Sequence, residues 1–72
     1  MFVFNQKRDQ MINLDNVLNI KSDNEFISYR YSGIDRYHVI GRYGTEKRAR
    51  EVLEEIVSRA SDTRYVYYMP EK

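Results

Sequence analysis

Apolar positions recur along this chain with two different periods. Ala49, Val52, Leu53, Ile56, Val57 and Ala60 follow one another at steps of 3, 1, 3, 1 and 3, which is one apolar stripe on a helix. Thr45 ahead of them supplies a hydroxyl that can accept from a free first-turn amide. Gly44 lets the chain turn sharply there, and Glu46 sets a negative charge at the positive end of the helix dipole. The opposite face carries Glu46, Lys47, Arg50, Glu51, Glu54, Glu55 and Arg59. Glu46–Arg50, Lys47–Glu51, Arg50–Glu54 and Glu55–Arg59 are opposite charges four apart. At about 0.2–0.5 kcal/mol each, such pairs support a helix rather than create it, and this face reads as solvated surface.

Before the helix the period shortens. Phe2-Val3-Phe4 predicts a first short strand, followed by a polar turn over Gln6-Lys7-Arg8-Asp9-Gln10. Met11-Ile12-Asn13-Leu14 and Val17-Leu18-Asn19-Ile20 bracket Asp15-Asn16, a bulge or tight kink in extended chain. Ser22-Asp23-Asn24 predicts a hairpin turn. Phe26–Tyr31 is the next strand, rich in aromatic and β-branched residues. Ser32-Gly33-Ile34-Asp35 returns the chain, and Tyr37–Tyr43 pairs back antiparallel. After the helix, Ser61–Arg64 is polar, Tyr65–Met69 reads as a last strand, and Pro70 stops it. No linker or low-complexity stretch divides the chain, so residues 1–72 form one domain. The expected fold is α+β: an antiparallel β-meander sheet of about four or five strands, one amphipathic helix packed on one face, and a short C-terminal strand. The other sheet face has no second helix to cover it. It must meet solvent, a ligand or another copy of the chain.

Composition narrows the chemistry. A chain of 72 residues buries roughly 60% of its extended surface, which leaves one thin core and little room for a deep cleft. With no cysteine, disulfides, thiolate metal sites and thiol nucleophiles are excluded. With one histidine, His38, no two-histidine metal motif forms within a chain, and no cofactor is expected. A domain this small usually needs a staple, a metal or a partner, so a homo-oligomer is expected. Twelve Lys/Arg against eleven Asp/Glu give a net charge of +1, too balanced for binding dominated by electrostatics. No apolar run reaches the length of a membrane span and the first residues lack a signal-peptide core. The expected setting is soluble and cytoplasmic, with no membrane partner.

The candidate binding residues come from tyrosine and arginine. Tyr29, Tyr31, Tyr37, Tyr43, Tyr65, Tyr67 and Tyr68 all fall in predicted strands. Some serve cross-strand packing and others an interface, where tyrosine offers large area and a polar tip; a domain this small cannot bury all seven. Arginine follows the same rhythm, in Arg30-Tyr31, Arg36-Tyr37, Arg42-Tyr43 and Arg64-Tyr65, the first three six residues apart. From Arg30 to Arg48 the net charge is +3 without His38. Arginine beside aromatic strands is one way sheets hold single-stranded nucleic acid or a nucleotide; solvated ion-pair partners are the plainer reading. The candidate set is therefore Arg30, Tyr31, Arg36, Tyr37, His38, Arg42 and Tyr43. His38 alternates with Ile40 and Arg42 and is placed on their face, with no serine or acid partner at a telling spacing. Gly41–Glu46 enters a helix N-terminus but matches neither dinucleotide nor P-loop patterns. The dispersed Asp9, Asp15, Asp23 and Asp35 form no calcium loop. No catalytic constellation emerges, and the chain is expected not to be an enzyme.

Met11–Val17, Val39–Tyr43, Thr45–Ile56 and Tyr67–Glu71 together give the chain its likeness: it resembles small proteins found in phages and prophages of Gram-positive bacteria. The resemblance spans nearly the whole chain and its motifs are structural, so it carries over no functional residue. It implies an accessory protein that acts by binding. The leading expectation is an inhibitor of a bacterial antiviral defence system that binds an immune protein or sequesters a nucleotide second messenger, with arginines on phosphates and tyrosines on bases. The alternatives are a small nucleic-acid-binding regulator and a virion component.

Overall fold

The computed structural model describes residues 1–60 and 66–72. The strands are β1 (Phe2–Phe4), β2 (Met11–Asn13), β3 (Val17–Asp23), β4 (Phe26–Tyr31), β5 (His38–Arg42) and β6 (Val66–Tyr68), and the helix α1 is Glu46–Arg59. The α+β class holds, but the single meander does not. The strands form two three-stranded sheets, ordered β2-β1-β6 and β3-β4-β5. The division falls at the expected kink. Leu14–Asn16 form one 3-10 turn, Asn13 Oδ1 accepts from the Asp15 N–H at 3.0 Å, and the Val17 N–H closes the turn on Leu14 O. This turn separates β2 in one sheet from β3 in the other. The last strand departs from the meander too: after α1, β6 pairs with β1 in parallel, Val3 opposite Tyr67. Tyr65 and the polar Ser61–Arg64 segment lie outside the described residues.

β3 and β4 form a hairpin whose two-residue turn is Asn24-Glu25, with Asp23 opposite Phe26. Ser22 and Asp23 therefore belong to the strand. Asn24 takes the left-handed conformation (φ 54°) that asparagine tolerates best after glycine. Leu18 bulges out of the β3–β4 ladder and Ile40 out of the β4–β5 ladder. The second bulge breaks the alternation on which the His38 assignment depended. His38 stands opposite Tyr29, on the side facing the core, while Arg42 stands opposite Phe26, on the other. The two residues do not share a face.

The helix follows its pattern. Thr45 Oγ1 accepts from the Arg48 N–H at 3.0 Å. Ala49, Val52 and Ile56 are buried against the sheets and Leu53 packs beside them. Val57 departs from the stripe and is 60% exposed. Of the expected pairs, Glu46–Arg50 closes at 3.0 Å and Glu55–Arg59 at 3.8 Å, while Glu51 turns to Arg48 at 3.5 Å. Val3, Ile12 and Tyr67 from one sheet, Ile27 and Tyr29 from the other, and the helix stripe join in one core. At Gly41 an added Cβ would lie 2.7 Å from Met69 Cε and 3.2 Å from the Tyr43 ring, so the bare backbone is what lets those two buried side chains pack.

The β1–β2 turn is held from inside by Asn5, which is 6% exposed. Its Oδ1 accepts from the N–H groups of Asp9 (3.1 Å) and Gln10 (3.0 Å), and its Nδ2 donates to Asp9 Oδ1 at 2.8 Å. Replacing Asn5 by alanine strands these groups. The Asn5→Ala chain is expected to lose about 1–3 kcal/mol, read as a lower urea midpoint with an unchanged slope.

Candidate binding face

Strand register assigns the outward face of the β3–β4–β5 sheet. Asp23, Phe26 and Arg42 form one cross-strand row; Lys21, Ser28 and Val39 the next; Asn19 and Arg30 the third. Tyr37, just before β5, folds onto the third row. The Lys21 ammonium lies 4.2 Å from its ring centre and the Arg30 guanidinium 5.7 Å. The Tyr37 hydroxyl donates to Asn19 Oδ1 at 3.1 Å, and Arg30 also donates to the Ile34 carbonyl at 3.3 Å. At the opposite end Arg42 lies 5.6 Å from the Phe26 ring and 3.4 Å from the Glu25 carboxylate. Cations and aromatic rings thus lie side by side across this sheet face. Desolvated pairs of this kind contribute up to about 2 kcal/mol, exposed ones nearer 0.5.

The charge on this face is uneven. Arg42 is matched by Glu25, and Lys21 sits 3.9 Å from Asp23. Among the described residues Arg30 and Arg36 join no ion pair. The Arg30–Tyr37 end thus carries Lys21, Arg30 and Arg36, with the exposed Asp35 beside Arg36. A groove of about 320 Å³ borders the face, between the β1–β2 turn (Asn5, Gln6, Lys7, Asp9, Gln10) and the edge of β5 (Val39 to Arg42).

The structure divides the sequence-predicted set into three. Arg30, Tyr37 and Arg42 lie on the outward face, with the exposed Arg36 in the loop beside it. Tyr31 and His38 belong to the other side of the sheet: the Tyr29 ring centre is 5.4 Å from that of Tyr31 and 5.4 Å from that of His38. Tyr43 is core. It is 2% exposed, and its hydroxyl donates to the Pro70 carbonyl at 2.8 Å. Of the other tyrosines, Tyr29 and Tyr67 are also buried and Tyr68 is exposed. Sequence reasoning missed Lys21, Asn19 and Phe26. The signal was present, since Asn19, Lys21 and Asp23 alternate along β3 as a solvated face should, but which tyrosine they meet is fixed only by the hairpin register.

Among the described residues no group of three His, Asp or Glu side chains is placed to hold a metal ion, and no helix is long and apolar enough to cross a membrane. No protein-family model, curated protein or solved structure matches the chain.

Burial pushes the Tyr43 phenol up to about 12, against the pull of Arg48 and Arg8. The unfolded chain releases that proton near the ordinary tyrosine value of about 10, so the stabilisation is complete below that pH and is lost as pH rises toward 12. Tyr43→Phe is expected to cost about 1 kcal/mol at neutral pH, through the lost Pro70 bond. It should also flatten the fall of the urea midpoint above pH ~10.

Proposed function

We propose that this chain is a non-enzymatic phage or prophage binding protein that acts in the host cytoplasm and blocks a bacterial defence system. It does so by docking the outward β3–β4–β5 face onto an acidic surface of an immune protein. The observation that carries this reading is the state of the rings on that face. Tyr37 already lies against Lys21 and Arg30 and its hydroxyl is held by Asn19, while Phe26 lies under Arg42. A nucleotide sponge or a single-strand binder needs open rings on which bases stack. A surface of pre-set arginine and tyrosine side chains instead suits a protein interface, where these residues are enriched among energetic anchors. The burial of Tyr29, Tyr43 and Tyr67 also removes three rings from any stacking role. The resemblance to small phage proteins supports the setting.

The test is phage plating on hosts that each carry one defence system, with and without the chain. Wild type is expected to restore plating on at least one host. The Lys21→Glu/Arg30→Glu/Tyr37→Ala variant, folded by circular dichroism, is expected to lose the effect, as removing two or three anchors costs at least about 2 kcal/mol. No restored plating on any host contradicts the anti-defence reading, and full activity in the variant contradicts the assigned face. Steeply salt-dependent binding to single-stranded DNA or RNA would favour the regulator instead.

A further inference from the structure

The β3–β4–β5 sheet has two edges, and the fold treats them differently. The edge of β5 is closed by the Gln6 side-chain amide on Arg42 and by the Gln6 N–H on the Ile40 carbonyl. The edge of β3 is left open. The two-residue turn makes Asp23 and Phe26 the closing hydrogen-bonded pair of the hairpin. Arg42, opposite Phe26 on the other side, accordingly turns its N–H away from β4 toward Gln6. Counting back from Asp23, Lys21 bonds to β4, while the main chains of Ser22 and Ile20 point out of the sheet. Among the described residues no strand, turn or side chain bonds to them there.

The helix is uncovered on the same side. On one flank of α1 the Arg48 and Arg59 guanidinium groups lie 5.9 Å and 5.6 Å from the Tyr43 and Tyr67 ring centres, which turns that flank toward the ends of β5 and β6. The helical period sets Leu53 and Val57 on the opposite flank, the one toward β3, against which α1 packs. Leu53 is half-buried and Val57 is exposed. The apolar stripe thus runs on past the last strand of the sheet.

We propose that the β3 edge is a strand-acceptor site, which takes an extended segment of another protein with an apolar residue at every second position. Each half of that chemistry comes from its own observation. The unpaired N–H and C=O groups of Ile20 and Ser22 call for main chain. The Leu53–Val57 flank calls for apolar side chains on the face of the added strand that continues Ile20 and Ser22. A second copy's β3 fits less well, because it brings its own α1 to the same side of the sheet, where Val57 stands. The edge is separate from the Arg30–Tyr37 face, and the inference stands without the docking reading.

The probe is the heptapeptide Val-Thr-Val-Glu-Val-Thr-Val, titrated into the isotope-labelled full chain. At millimolar peptide the Ile20 and Ser22 amides are expected to shift and to exchange more slowly, and the Val57 methyls to shift with them. Ser22→Pro removes one outward N–H and leaves the bonds to β4 in place, so it is expected to weaken binding roughly tenfold. Val57→Lys is expected to weaken it from the helix side with β3 untouched, and a peptide with Asn in place of Val is expected not to bind. No response at Ile20 and Ser22, or binding unchanged in Val57→Lys, overturns the proposal. A wild-type dimer in sedimentation with protected Ile20 and Ser22 amides overturns it too, in favour of a second copy.

Discussion

The Gln6 side chain lies along the free edge of β5. Its Oε1 accepts from the Arg42 N–H at 2.6 Å, and its Nε2 donates to the Arg42 carbonyl at 2.7 Å and to the Glu71 carbonyl at 2.8 Å. The Gln6 backbone N–H donates to the Ile40 carbonyl at 3.1 Å. One primary amide thus completes the hydrogen bonds that a neighbouring strand would have made, and it joins the end of β1 in one sheet to β5 in the other. An unpaired backbone group there would cost about 1–3 kcal/mol if buried. More importantly, this link and the Leu14–Asn16 turn hold two small sheets over one core, where each alone would be marginal.

The two outer faces follow from that arrangement. Among the described residues one helix, of 14 residues, covers core-facing residues and leaves both outward sheet faces without a helix over them. The one on β3–β4–β5 is dressed with cations resting on Tyr37 and Phe26, and the one on β2–β1–β6 with Phe2, Met11 and Tyr68. Small size makes this division a physical consequence: there is too little chain to build a second layer over either. The tyrosines divide along the same lines. Tyr29, Tyr43 and Tyr67 fill the core, Tyr37 cushions Lys21, and Tyr68 lies under Arg8.

Where a pattern was local, the sequence revealed it. The Thr45 cap, the Ala49–Val52–Ile56 stripe and the full extent of β4 are all visible in residue spacing, because helix and strand periods are properties of neighbouring residues. What stayed hidden depends on pairing across the chain. The parallel match of β1 with β6, 64 residues apart at Phe2 and Val66, leaves no trace in either segment. The Ile40 bulge moved His38 to the opposite side from Arg42, and nothing in Val39-Ile40-Gly41 announces it beyond a glycine. For the same reason only part of the candidate face was legible. Arg30, Tyr37 and Arg42 were found from their rhythm, Lys21 and Asn19 required the hairpin register, and Tyr43 proved to be structural. Gln6 sat in a segment that read only as a polar turn, since an amide that imitates a strand looks like any other glutamine.

Amide hydrogen exchange at Arg42 tests the Gln6 link most directly. In the wild-type chain the Arg42 N–H, bonded to the Gln6 side-chain oxygen at a sheet edge, should be protected to a degree comparable with the amides of β4. In the Gln6→Ala chain that protection should fall toward the rate of an open edge while the amides of β4 keep theirs. Fast exchange at Arg42 in the wild type, or protection unchanged by the substitution, would contradict a fold in which the Gln6 amide completes the edge of β5.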